Sequence, residues 1–79
     1  MKTRVVVTLK ASVLDPQGKA IEGALKSLGF EGFASVRQGK VFDIELEGVE
    51  SDAAEALIRQ ACEKLLANVI VENFAIQHG

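Results

Sequence analysis

Apolar and polar positions along the chain alternate with two different periods, and each change of period marks an element. From Thr3 to Leu9 the residues are mostly β-branched, with Val5, Val7 and Leu9 on one side of an extended backbone and Arg4, Val6 and Thr8 on the other. This predicts a first strand. Asp15-Pro16 reads as a helix start, because the carboxylate can accept from free first-turn amides and Pro16 lacks only a donor the helix does not need there. Ile21, Ala24, Leu25 and Leu28 recur at helical spacing, and Gly29 stands where a left-handed C-cap is expected. Gly18 and Gly23 each weaken this helix by up to about 1 kcal/mol relative to Ala, so packing must hold it.

After a loop through Phe30 and Phe33, the pattern predicts a hairpin with arms Ala34 to Gln38 and Val41 to Glu47 and a turn at Gly39-Lys40. The turn lacks the stronger Asn-Gly or Asp-Gly signal, so a bulge or shifted register is expected near Gly39. In the second arm Phe42, Ile44 and Leu46 face one way and Asp43, Glu45 and Glu47 the other, as in a sheet covered on one side. Ser51 is the expected cap of a second helix, with Asp52 and Glu55 near its positive end. Leu57, Ile58, Ala61, Leu65 and Leu66 form its apolar stripe. Val69 to Gln77 supplies a last strand.

Strand, helix, strand, strand, helix, strand predicts an α+β chain, a ferredoxin-like βαββαβ sandwich with one four-stranded sheet and both helices on one face. The other face has no helix to cover it. Val6, Val41 and a last strand apolar on both sides point to cover by a partner, hence to a dimerising chain.

At 79 residues there is room for one domain, residues 1–79. With 48% hydrophobic and 25% charged residues it is expected to fold and stay soluble. Chains this small commonly need a disulfide, a metal or a partner. A single cysteine excludes an internal disulfide and no Cys/His ligand cluster exists, which leaves oligomerisation. A net charge of -2 and a pI near 5.3 give no footprint for nucleic acid. Apolar runs such as Val69-Ile70-Val71 are far shorter than the roughly 20 residues that span a bilayer, and no signal-peptide pattern opens the chain. The expected address is cytoplasmic.

Candidate chemistry is sparse. Cys62 lies close to the second helix's apolar stripe without a neighbouring histidine, which suits a structural thiol better than a nucleophile. His78 is at the chain end. The row Asp43, Glu45, Glu47 suits a solvated sheet face better than a metal site, since no further ligands converge. Gly18-Lys19 and Gly39-Lys40 lack the second glycine and the hydroxyl of a phosphate loop. Cap and turn chemistry explain Asp15, Pro16 and Gly39, but not Gln17 or the basic pair Arg37 and Lys40.

Three blocks, Val13-Leu14-Asp15-Pro16-Gln17-Gly18-Lys19-Ala20-Ile21, Val36-Arg37-Gln38-Gly39-Lys40 and Cys62-Glu63-Lys64-Leu65-Leu66-Ala67-Asn68 running into Val71-Glu72-Asn73-Phe74, together resemble the PurS family, the small subunit of phosphoribosylformylglycinamidine synthase. Val69 stands where that family often has Pro, and Asn73-Phe74 where it often has Asp-Tyr. The resemblance implies a non-catalytic subunit with no cofactor of its own. Its partners would be a glutaminase subunit that releases ammonia and a large synthetase subunit that uses ATP and magnesium. Together they convert formylglycinamide ribonucleotide to formylglycinamidine ribonucleotide in de novo purine biosynthesis. It also implies a dimer or tetramer that brings the other two together. Asp15, Gln17, Gly18, Arg37, Gly39 and Lys40 are the expected partner-docking residues. The competing expectation is a free-standing ACT-like regulatory module that binds a small molecule at a dimer interface. An acylphosphatase would need a basic anion-binding loop, and an RNA binder exposed aromatics on the central strands; neither is evident.

Overall fold

A computed structural model of the chain describes residues 1–78. Its elements are β1 (Lys2–Leu9), α1 (Pro16–Ser27), β2 (Gly39–Glu45), α2 (Ser51–Ala61), a π-helical turn (Cys62–Leu66) and β3 (Glu72–His78). The α+β class is as expected. The sheet is three-stranded, in the order β2-β1-β3, with β1 antiparallel to both neighbours. The strand richest in β-branched residues takes the central place.

Register puts Val5 between Phe42 and Ile76, and Val7 between Lys40 and Phe74. On that face Val5 and Val7 are fully buried against Ile58, Cys62 and Ala67. Of the predicted stripe of α2, Ile58 is buried in this core and Leu66 partly so, whereas Leu57 and Leu65 are exposed; the buried row is Ala54, Ile58 and Cys62, at i, i+4 spacing. Helix α2 begins at Ser51, but Glu50 occupies the cap position and no side chain caps it. On the open face Val6 lies between Val41 and Ala75, and Arg4 opposes Asp43.

Two expectations are corrected. No hairpin turns at Gly39-Lys40: Gly39 pairs with Thr8 and Lys40 with Val7, so both lie inside β2. Ala34–Gln38 joins no ladder, and the sheet has three strands instead of four. Its backbone instead meets side chains of the first helix, with the Val36 amide donating to Glu22 (3.0 Å) and the Gln38 amide to Asp15 (2.6 Å). The second correction follows from the first. Because the chain passes from residues 34–38 into β2 without reversing, α1 does not lie over the sheet. It projects beyond the strand ends, and Gly18 is its only buried residue.

The predicted cap of α1 is observed. Gly29 has φ +88°, and the Gly29 and Phe30 amides donate to the carbonyls of Lys26 and Leu25, a Schellman closure. Beyond it Phe30 and Phe33 meet edge to face at 6.1 Å. The result is an arm, α1 with residues 28–38, on a molecule measuring 50 × 25 × 15 Å. The radius of gyration is 16.1 Å, against about 12 Å for a compact chain of this length.

Candidate functional site

The arm is fastened to the sheet at one place, and the residues singled out in the sequence meet there. Asp15 is buried at 4% exposure. One of its carboxylate oxygens accepts from the Gly18 amide (3.0 Å), as an N-cap does, and the other accepts from the Gln38 amide. These bonds, the Gln38 amide foremost, hold its carboxyl below the usual aspartate range. Gly18 allows the approach: a β-carbon there would overlap the Val36 carbonyl oxygen. Gly39 allows another, since its β-carbon would stand 2.5 Å from the Val7 carbonyl oxygen.

Around this buried centre lies a polar rim. The Gln38 side-chain amide donates to Gln17, and Arg37 donates to the Lys10 carbonyl at 3.0 Å. Lys40 pairs with Glu72 at 3.6 Å, and Glu72 also accepts from the Asn68 amide. Gln17, Arg37 and Lys40 remain exposed, whereas Asp15 and Gly18 do not. A groove of about 370 Å³ between α1 and the sheet end is lined in part by Asp15, Gln17, Gln38, Lys40 and Glu72. All of its charged groups are already partnered within the chain, so it is a joint with an exposed polar surface and not a cradle for a substrate.

Sequence reasoning missed Glu22, whose carboxylate takes the Val36 amide and is held below the usual glutamate range chiefly by that bond. The available signal was spacing: Asp15 and Glu22 are two helical turns apart on one face, and Val36 and Gln38 share one side of an extended segment. Gln38 and Glu72 were missed as well, because their roles arise from contacts distant in sequence.

The other candidates lie elsewhere. Asp43 pairs with Arg4 (2.9 Å) and Glu45 with Lys2 (3.7 Å), so those two acidic residues take part in cross-strand ion pairs. The Asp43 carboxyl is lowered and the Arg4 guanidinium raised, each first by the hydrogen bond between them. Cys62 is buried in the core, and burial pushes its thiol up, away from the reactive thiolate. The His78 ring lies 3.4 Å from the Thr3 hydroxyl and 3.6 Å from Glu55. Among the described residues no group of three or more His, Cys, Asp or Glu side chains converges on a possible metal position. No helix there is long and apolar enough to cross a membrane.

A subunit from Mycobacterium leprae, phosphoribosylformylglycinamidine synthase subunit PurS, is 47% identical over 72 residues, covering 91% of this chain and 87% of that one. The solved structure of Bacillus subtilis PurS superimposes with a TM-score of 0.87 at 41% identity over 96% of this chain and 94% of that one. A chain in the structure of PurLQS from Thermotoga maritima does so with a TM-score of 0.85 at 31% identity, over 96% and 93%. The family profile described as PurS, phosphoribosylformylglycinamidine (FGAM) synthase, matches residues 2–78. Since that span includes the arm, its fastening and the sheet, the family match rests on residues 2–78 and not on one motif, and the chain belongs to the PurS family.

Proposed function

We propose that this chain is the non-catalytic small subunit of phosphoribosylformylglycinamidine synthase and acts as a cytoplasmic, homo-oligomeric bridge between a glutaminase subunit and a synthetase subunit. The synthetase would hold ATP and magnesium. The observation that carries this reading is the extended arm, which presents apolar surface that its own chain does not cover. Leu28 is 75% exposed, Phe30 55% and Phe33 53%, while Phe42, Ile44 and Leu46 on the helix side of the sheet are only partly buried. The family match leaves the ACT-like ligand-binding alternative without support.

A second copy is the occupant that fits. An α1 laid over Phe42, Ile44 and Leu46 is what the βαββαβ pattern calls for, and residues 34–38 are extended beside no strand of their own chain. Two copies that exchange arms would give each other both, completing a four-stranded sheet on either side. Burying an exposed Leu, Ile or Phe gains up to roughly 1.5–3 kcal/mol. Two arms carry enough such residues to exceed an association cost of roughly 4–15 kcal/mol.

Gln17, Arg37 and Lys40 then form an exposed polar surface beside the joint, which docks a larger subunit, while Asp15, Gly18 and Gly39 hold its shape. The bridge protects the transferred ammonia, which in water at neutral pH would mostly protonate and lose its nucleophilicity. The test is reconstitution with both larger subunits. Omitting this chain should abolish glutamine-dependent turnover but spare ammonia-dependent turnover, and R37E/K40E should weaken assembly with the larger subunits beyond what any loss of self-association in the same variant accounts for, with the circular dichroism of the free chain unchanged. Unaltered assembly of that double variant removes the docking surface. Turnover by the purified chain alone removes the non-catalytic assignment.

A further inference from the structure

The hairpin that the sequence pattern predicts at Gly39-Lys40 is not the conformation observed, in which both residues lie inside β2. The geometry points to Gly39-Lys40 as a hinge between the arm-extended state and a closed state, in which residues 34–38 turn back onto β2 and α1 lies on its own sheet. This rests on the arm-exchanged pair proposed above and adds what governs it.

The two states satisfy nearly the same apolar contacts. In the closed state α1 covers Phe42, Ile44 and Leu46 of its own chain, and in the exchanged pair it covers those of its partner. Burial therefore does not choose between them, and the joint does. Gly39 is compatible with both: glycine suits the first central position of a type II′ hairpin turn, and in the extended state only glycine avoids the Val7 carbonyl oxygen. Short hinge segments favour exchange between copies over tight reversal.

Three fasteners hold residues 37–40 straight. Arg37 is tied to the Lys10 carbonyl, the Gln38 amide to Asp15, and Lys40 to Glu72, so a bond lies on each side of Gly39. Reversal at Gly39-Lys40 swings residues 37 and 38 away from Lys10 and Asp15 and breaks the first two. Asp15 is the central piece, because the same carboxylate caps α1 through the Gly18 amide and so couples the direction of the helix to that of the strand. The joint is thus a latch that keeps the arm out and ready for exchange. A closed chain hides its arm and cannot bridge.

The test lengthens the hinge. Inserting Asn-Gly between Gly39 and Lys40 supplies a favoured hairpin turn. The insertion variant should become monomeric at concentrations where the natural chain is a dimer, with a scattering radius of gyration near about 12 Å and retained circular dichroism. D15N, which opens the latch without touching the turn, should raise the dimer dissociation constant by about tenfold or more. If the insertion variant unfolds, D15N decides. A dimeric natural chain with both variants unchanged in dissociation constant overturns the hinge and leaves the exchanged pair standing. A natural chain that is monomeric and compact overturns the pair and supports the closed state.

Discussion

The two ends of this molecule are built on opposite principles. In the half formed by the sheet and α2, Val5, Val7, Ala54, Ile58 and Cys62 are essentially inaccessible, and apolar contact within the chain specifies the structure. In the arm, Asp15 and Gly18 are buried while Leu28, Phe30 and Phe33 are exposed; polar bonds set its direction and its apolar surface faces outward. The first half is a core and the second half of one. A helix with an apolar stripe and little of its own chain against it is held out by Asp15 and Glu22.

That contrast can be broken from either side. Ile58→Ala should be the most damaging change, costing about 2–5 kcal/mol and visible as a large fall in the thermal midpoint, since it opens a cavity in the core formed with Val5, Val7 and Cys62. A midpoint that hardly moves would mean that the sheet half, too, is stabilised mainly by a partner. Gly18→Ala should come next, at about 1–3 kcal/mol, because the added carbon drives α1 off the Val36 carbonyl oxygen. Its distinguishing readout is dimerisation, which should fail while the sheet's circular dichroism persists.

Acid should act mainly on the arm. Asp15 and Glu22 have folded-state values below their ordinary ones, so as pH falls the unfolded chain takes up protons first. Their contribution is fully present above about pH 5 and is lost as pH descends through the lowered values. The difference in thermal midpoint between the natural chain and D15N/E22Q should therefore shrink below about pH 4. Equal spacing at all pH values would show that these carboxylates do not act through their charge. The smallest effect should be Asp43→Asn, which weakens an exposed pair on the open face and should leave both midpoint and dimerisation nearly unchanged. A marked loss of dimer would show that this face is also an interface.

Much of this was legible in the chain itself. Alternation places Val5 and Val7 in the core, spacing of three and four places Ile58 there, and Asp15-Pro16 and Gly29 mark the two ends of α1. Gln17, Arg37 and Lys40 stood out as polar residues that cap and turn chemistry leaves unexplained, but that they meet Asp15 at one joint was not legible. Nor were Glu22 and Glu72, because a carboxylate on a helix flank or a strand start looks solvated until its distant backbone partner is known. Ser51 was misassigned as a cap for a similar reason: capping depends on where the helix begins relative to the preceding chain, and Glu50 holds that position without a side-chain bond.

Sequence alone determined both helices and the three strands of the sheet, and turned Val5, Val7 and Ile58 toward the core, because these follow from local periodicity and side-chain chemistry. Only the tertiary structure decided that the chain passes straight through Gly39-Lys40. A closed hairpin and an exchanged strand place the same residues against the same kinds of neighbour, so no local pattern distinguishes them. The choice was made by long-range bonds from Asp15, Lys10 and Glu72 onto residues 37–40.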